Sequence, residues 1–576
     1  MVAKSFRITG FLTGLSVVSL LAFLSVPPTL RAASDEEVAA LKTQIEKMQQ
    51  HISKLEGQVK TLQDTKLQPA TILNTHVLTD EDGKTVEPSS MVLTDSFIKS
   101  ITRNFAFSAY VRAGVQFNGN GGAGNFNFEP PDFDGAGRPR LGNENDIYME
   151  LTWAQAHLLG DSPDVMDVSM RFTPSIRYVQ TRNTFTPDLG NGLELSGNDF
   201  AFVMREAFVT MKNVFKSAPQ VAFWGGERFY DRWNIDPDDY YFLDTSGYGA
   251  GVQNIDLGFG KLWAAYLGGQ NASILSPSTG SFYKHTFDFR IKDISLGALG
   301  KVMLVGIVNY EKGTTFTLGY DALGNSIHLR NPLRTNDAWG IGGGFVYQYD
   351  FGNKSFLQLY ALFGRGATNF SSGDDSPTIT GAENSFLAFH PGTPAGTVID
   401  VGDVINDSRQ YRAGGQLVWN ATSNFSVAVW GFWNLNNSGF IEAGTDANGV
   451  LRTASGNRNL YAGGIRPVFW LADNIAIEGQ AWGSYVDNNR TSSGTNAFGR
   501  SGSMGVFTIA PVIKPKGGFF TRPELRLYAT YSIWSDSLKG ATTPAQESNG
   551  NPPFVPPYNG NTNQGWLFGT QVEWFF

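Results

Sequence analysis

From Phe105 onward, apolar and polar residues alternate with a period of two. Phe105, Phe107, Ala109, Val111, Ala113 and Val115 share one parity, and Ser108, Tyr110, Arg112 and Gln116 share the other. A strand turns successive side chains to opposite faces, so the stretch predicts a strand with one apolar and one wet face. The device repeats. Ile147, Met149, Leu151 and Trp153 alternate with Asp146, Tyr148, Glu150 and Thr152, and Leu525, Leu527, Ala529 and Tyr531 alternate with Glu524, Arg526, Tyr528 and Thr530. The same holds for Met166, Val168, Met170 and Phe172, for Leu357, Leu359, Ala361 and Phe363, and for the final run WLFGTQVEWFF, where Phe575 is on the wet parity. A β-sandwich also alternates, but it seldom needs so many long strands. Strands of roughly ten residues divide the region into about sixteen to eighteen, the range of a transmembrane barrel.

Clusters of Gly, Asn, Ser, Thr, Asp and Pro predict long loops at 118–138, 183–198, 276–279, 371–407, 442–457 and 535–564. Shorter turn signals, DFGNKS at Asp350 and TSNFS at Thr422, fall between others. Long connections at one end and short ones at the other are how an outer-membrane barrel presents its exterior and periplasmic sides.

The pattern before Phe105 is different. Lys4 and Arg7 precede an apolar run from Ile8 to Val26, with Pro27, Pro28 and small residues following, so residues 1–33 predict a secretory signal peptide cut near Ala32. Val38, Leu41, Ile45, Met48, Ile52, Leu55, Val59 and Leu62 then recur three and four apart. That seam predicts a self-associating helical coiled coil over 34–66, whose heptads from Val38 to Leu62 reach about 37 Å at the helical rise. Residues 67–103 lack a clear period and read as a linker with room for one hairpin at Asp80–Gly83, leaving 104–576 for the barrel.

Composition narrows the class. The chain has no cysteine, hence no disulfide or thiolate site, and its net charge of −8 argues against a nucleic-acid partner. Beyond the N-terminus no stretch approaches the roughly 18 apolar residues of a spanning helix. The six histidines are scattered and none sits at a catalytic or metal-ligating spacing, so neither an enzyme nor a cofactor is expected. The acidic loops show no ordered calcium-ligand spacing.

One stretch departs from plain alternation. From Phe223 to Leu262 the sequence FWGGERFYDRWNIDPDDYYFLDTSGYGAGVQNIDLGFGKL mixes Arg228, Asp231, Arg232, Asp236, Asp238, Asp239 and Asp244 with the rings of Phe229, Tyr230, Trp233, Tyr240, Tyr241 and Phe242. It reads as strand, long folded loop, strand. Charges beside flat rings suit a polyhydroxyl ligand, whose hydroxyls take hydrogen bonds while its C–H face lies on a ring.

This stretch resembles the maltoporin family of sugar-specific outer-membrane porins, in RFY, the Arg four positions on, the later Asp and Tyr, and SGYGAGVQNIDLGFGKL. Further matches are SAYVRAG from Ser108, RLGNEND from Arg140, MREA from Met204, GIRP from Gly464 and RPELRLYATY from Arg522. The coiled-coil extension is similar to the sucrose-porin branch. The resemblance implies an all-β transmembrane antiparallel barrel preceded by a short α-helical coiled coil. It also implies a homotrimer in the outer membrane of a Gram-negative bacterium, contacting lipid outside and oligosaccharides inside, with the coil in the periplasm. The final Phe576 resembles an outer-membrane assembly signal.

Alternation places Tyr110, Arg112, Tyr148, Glu150 and Phe575 on the wet side, and the resemblance carries these positions onto the sugar path. It carries Arg140, Arg205, Arg232, Asp239 and Tyr241 onto the constriction or its hydrogen-bonding track. Departures are visible too. Asn234 stands where family members often have an acid, a slide aromatic near Trp339 falls on Ile341, and Leu460 and Tyr461 replace paired tryptophans, with Leu460 inward. Trp430, Phe432 and Trp482 also face inward, either as replacement rings or as fillers under a loop. No counterpart of a ring from a neighbouring subunit is recognisable at 183–198. A general diffusion pore and a structural anchor acting through the coil remain alternative readings.

Overall fold

The computed structural model describes residues 78–79, 85–86 and, between 104 and 575, all except 122–126, 130–137, 145, 160–161, 163, 180–199, 272–281, 313–314, 321–325, 336, 369, 371–397, 400–405, 407, 446–450, 489–500 and 540–561. The signal peptide, the coiled coil and the loop at 183–198 lie outside the described residues. Two compact units are distinguished, Met1–Val92 and Leu93–Phe576. In the first, Leu78–Thr79 and Thr85–Val86 pair antiparallel across the Asp80–Gly83 turn signal.

The second unit is a closed barrel. Its strands begin with β1 (Phe105–Asn118), β2 (Asp146–Gln155), β3 (Asp167–Val179), β4 (Phe200–Lys212), β5 (Ala222–Arg228) and β6 (Gly247–Asp256). They continue with β7 (Lys261–Asn271), β8 (Phe282–Ser295), β9 (Lys301–Glu311), β10 (Ala338–Gly352), β11 (Ser355–Gly366) and β12 (Arg409–Thr422). The last are β13 (Phe425–Thr445), β14 (Leu451–Ala472), β15 (Ile475–Asn488), β16 (Gly502–Ile513), β17 (Glu524–Trp534) and β18 (Gln564–Phe575). Each pairs antiparallel with the next, and β18 returns to β1 with Phe575 opposite Tyr110 and Glu573 opposite Arg112. Eighteen strands stand at the top of the expected range. No helix among the described residues is long and apolar enough to cross a membrane; the chain crosses with strands.

The two parities separate as the alternation requires. On β17, Leu525 and Leu527 are exposed outward, whereas Glu524, Arg526, Tyr528 and Thr530 are buried inside. On β11, Leu359 and Phe363 face out, and Gln358 and Tyr360 in. A barrel leaves no unpaired edge, so every backbone ladder is satisfied even at the depth of the lipid. Turns are tight where short ones are predicted: Asn353 and Lys354 take positive φ at 48° and 55° between β10 and β11, the left-handed geometry that matches strand twist.

Three features depart from expectation. The segment 442–457 is no long loop; β13 and β14 stay paired out to Thr445 opposite Leu451. Its Asp-Ala-Asn-Gly sequence is turn chemistry that lets two strands run on. Between β9 and β10 an unforeseen hairpin, Thr315–Tyr320 with Ser326–Thr335, gains a short parallel strand at Val398–Ile399. Finally, Trp339 and Ile341 are both strongly exposed and pair with Tyr310 and Val308 on the outward parity of β9. Neither supplies a ring to the lumen.

Candidate functional site

The connection from β5 to β6, residues 229–246, folds into the lumen rather than over its rim. Its base is held by Gly247 opposite Arg228. Its tip reaches the opposite wall: Tyr240 Oη donates to Asn434 Oδ1 at 2.7 Å, and Trp482 Nε1 to Asp238 Oδ2 at 3.0 Å. Backbone carbonyls are taken as well. Arg466 Nη2 donates to the Pro237 carbonyl at 3.0 Å, Arg412 Nη1 to that of Phe242 at 3.1 Å, and Gln416 Nε2 to that of Asn234 at 2.8 Å. Asp236–Asp238 forms a single 3-10 turn with Pro237 in its first positions, closed by Asp239 at φ 49°. A loop that sits inside a protein must satisfy its peptide groups, and these wall side chains do so.

Apolar packing locks the same face. Phe242 stacks on Tyr360 with centroids 3.7 Å apart, and Tyr240 on Phe432 at 4.5 Å. Trp430, Phe432 and Trp482 are therefore fillers beneath the loop, buried in one continuous lumenal core with Ile235 and Leu243. Leu460 is fully buried in that core, while Tyr461 faces out.

A second stretch lies along the wall near β16 and β17. Thr508 and Thr530 donate to the carbonyls of Leu141 and Gly142 at 3.0 and 2.8 Å. Gly142 has φ +65°, and a Cβ there would lie 2.4 Å from Thr530 Oγ1, so only glycine fits this approach. The turn carries Arg140 and Glu144 into the lumen.

Between the loop, this turn and strands β1 to β5 remains a cavity of about 700 Å³. All ten residues singled out from the sequence line it: Tyr110, Arg112, Arg140, Tyr148, Glu150, Arg205, Arg232, Asp239, Tyr241 and Phe575. The rings of Phe575 and Tyr110 lie 4.8 Å apart and those of Tyr110 and Tyr148 6.0 Å apart, a row across three adjacent strands. Beside it runs a charged network. Arg140 Nη2 donates to Tyr110 Oη at 2.8 Å and to Glu573 Oε1 at 3.1 Å, and Arg112 Nη1 to Glu144 Oε1 at 2.8 Å. Tyr148 donates to Glu150. Across the cavity, the Arg232 guanidinium lies over Phe229 at 3.4 Å and Tyr241 at 4.8 Å.

Arg205 is placed by an irregularity. Thr173 pairs with Glu206 and the next residue, Pro174, with Met204, which leaves Arg205 as the extra residue of a β-bulge. Pro174 cannot donate to the ladder, and a bulge re-aims side chains. Arg205 thus reaches the cavity while Glu206 is also buried inside, bonded by Thr173 Oγ1 at 3.0 Å.

Burial sets the protonation of the loop. It pushes the Asp238 carboxyl up to about 7, against the opposing Trp482 indole N–H and Arg466 charge. Burial also raises Asp239 in spite of Arg140 beside it. Burial, then the neighbouring Asp239, pushes the Tyr241 hydroxyl up to about 12. Burial disfavours the Arg140 cation, but Glu144 and Asp239 outweigh it, so Arg140 stays charged.

The LamB porin family model matches residues 105–575. The chain belongs to the LamB porin family. It is 25% identical over 455 residues to a maltoporin of Photobacterium profundum (77% of this chain, 91% of that one). It is 26% identical over 458 residues to a maltoporin of Vibrio cholerae (75% and 90%). Among solved structures, the outer membrane channel DcaP of Acinetobacter baumannii superposes with a TM-score of 0.36 at 10% identity, covering 82% of this chain and 97% of that one. This LamB porin is an outer-membrane channel, not an enzyme.

Sequence reasoning left out several residues at the porin's cavity. Glu573 binds both Tyr110 and Arg140, and its signal was its parity, two residues before Phe575 on β18. Arg177 lines the cavity opposite Tyr148 across β2 and β3, again on the wet parity. Arg138 and Glu144 flank the glycine turn, which alternation does not reach.

Proposed function

We propose that this porin passes oligosaccharides, of the maltooligosaccharide or sucrose type, passively down a gradient through the constricted cavity, as a homotrimer. Phe575, Tyr110, Tyr148 and Tyr241 offer ring faces to the sugar's C–H surface. Arg112, Arg140, Glu150, Arg205, Arg232 and Asp239 exchange hydrogen bonds with its hydroxyls. Residues 34–66 serve as a periplasmic coiled coil after loss of 1–33, with 67–103 as the linker to the barrel.

The observation that carries this reading is the row of three rings flanked on one side by a continuous polar track. Rings spaced 4.8 and 6.0 Å apart present successive, similar and weak platforms, so a solute steps along instead of being trapped. The names of the maltoporin relatives agree with a sugar solute.

Planar-bilayer recording tests it. Ion current through the reconstituted porin falls saturably as maltotriose or sucrose is titrated, and Tyr148→Ala weakens that block about tenfold. A current that no sugar blocks overturns the reading and leaves a general diffusion pore.

A further inference from the structure

Three of the arginines around the cavity form no salt bridge among the described residues. Arg112 and Arg140 are neutralised by Glu144, and Arg140 also by Glu573. Arg205 has only a neutral hydrogen-bond partner, Ser175 Oγ at 3.0 Å. Arg232 is held between the rings of Phe229 and Tyr241. Arg228 lies over Phe208 at 4.6 Å, Trp224 at 4.9 Å and Tyr230 at 5.7 Å, and its Nε and Nη1 are buried without any hydrogen-bond partner. Among the described residues none of these three has a carboxylate within 4.0 Å.

The carboxylates of the cavity are committed in contrast. Glu150 takes the Tyr148 hydroxyl, Asp244 takes both the Ser246 amide and its hydroxyl, Asp236 lies 3.7 Å from Arg140, and Asp239 sits in the field of the same Arg140. Glu227 lines the cavity as well, shared between the Tyr248 hydroxyl opposite it in the β5–β6 register and the Arg205 charge, a single carboxylate among three guanidinium groups. Asn234, two residues beyond Arg232, adds no negative charge. The β4–β5 side of the cavity therefore carries more cationic than anionic groups, with the Arg228 and Arg232 guanidinium groups lying over rings and Arg205 bonded to a neutral hydroxyl.

We propose that the preferred solutes of this pore are saccharides bearing an oxyanion, a carboxylate first of all, received by Arg205, Arg228 and Arg232. The proposal rests on the sugar reading above and goes beyond it in fixing the charge of the solute. A guanidinium fork matches a carboxylate bidentately, and a charge-assisted hydrogen bond is about twice as strong as a neutral one. Stacking against rings prepays the ordering of Arg228 and Arg232. A neutral sugar leaves three cationic forks facing hydroxyls; a uronate ring fills one while its C–H face still meets Tyr110 and Tyr148. Three such forks along one wall allow hand-over between sites of similar strength.

The experiment compares block of the reconstituted porin by cellobiose and by cellobiouronic acid, which share a skeleton and differ in one CH₂OH for one carboxylate. The acid blocks about tenfold more tightly at low salt, and the advantage shrinks as salt rises. In the triple variant Arg205→Gln, Arg228→Gln, Arg232→Gln the ratio of the two constants falls to about one. Should the triple variant not insert, Arg232→Gln alone narrows the ratio in the same sense. Block by both sugars at equal strength in the wild type overturns this proposal and leaves the sugar channel standing; block by neither overturns both. An acid preference that survives the triple variant overturns the assignment to these arginines. Glucose 6-phosphate against glucose forms the second arm: a gain for phosphate without one for the uronate overturns the carboxylate assignment.

Discussion

Two sides of the same lumen use similar residues to opposite ends. On β11, β13 and β15, inward rings such as Tyr360, Phe432 and Trp482 are sealed beneath the loop tip. On β1, β2 and β18, inward Tyr110, Tyr148 and Phe575 line open space. Strand parity is the same in both, and so is the preference for aromatic side chains. What differs is the path of residues 229–246, which start beside β5, lean on the far wall, and leave the near wall bare. An inward ring is thus a pore residue only where the loop does not reach it.

Breaking the sealed side has the largest expected effect. Phe242→Ala removes a fully buried ring stacked on Tyr360, a change that costs about 3–5 kcal/mol. Denaturant unfolding of the detergent-solubilised barrel reads the loss, and open-channel noise rises as the loop loosens. On the bare side, Tyr110→Ala leaves unfolding much less affected but takes out the middle ring and the hydroxyl bonded to Arg140 and Glu573. Sugar block there weakens by about tenfold or more.

A pH comparison sharpens the contrast. The folded-state pKa of Asp238 is raised from 3.8 to about 7, so its favourable contribution is complete below the unfolded carboxyl's pKa and is lost as pH rises through about 7. The sealed side is accordingly weaker at about pH 8 than at about pH 5. Asp238→Asn removes that pH dependence and gains ~1 kcal/mol at the higher pH, measured as the difference between the two unfolding midpoints. The smallest effect is expected at the end of the ring row. Phe575 is about half exposed, and Phe575→Leu weakens sugar block by roughly two- to threefold, with no change in unfolding.

The strands were legible because the barrel imposes one rule on each of them: lipid on one parity, lumen on the other. Leu525 to Tyr531 follow it residue by residue, and Glu573 was there to be read by the same rule. Arg205 was not, since a bulge suspends the rule locally, and only the resemblance pointed to it. Nor could parity tell Trp430 and Trp482 from Tyr148, because that choice belongs to a loop whose anchors are scattered over β12 to β15. The run-on of β13 and β14 through 442–457 was hidden by composition; Gly, Thr and Asn look like loop until their cross-strand partners are known. Trp339 and Ile341 teach the converse, that a position inherited from a resemblance still has to obey the local parity.

The register that closes the barrel has a consequence for biogenesis. Tyr110 and Arg112 stand on the first strand, Phe575 and Glu573 on the eighteenth, and they become neighbours only across the β18–β1 seam. No nascent or partly zipped sheet contains the ring row or the Arg140–Glu573 contact. Contacts of this sequence separation form late, so the permeation path comes into being in the same step that completes the wall, and a barrel still open at its seam offers the membrane no half-built sieve.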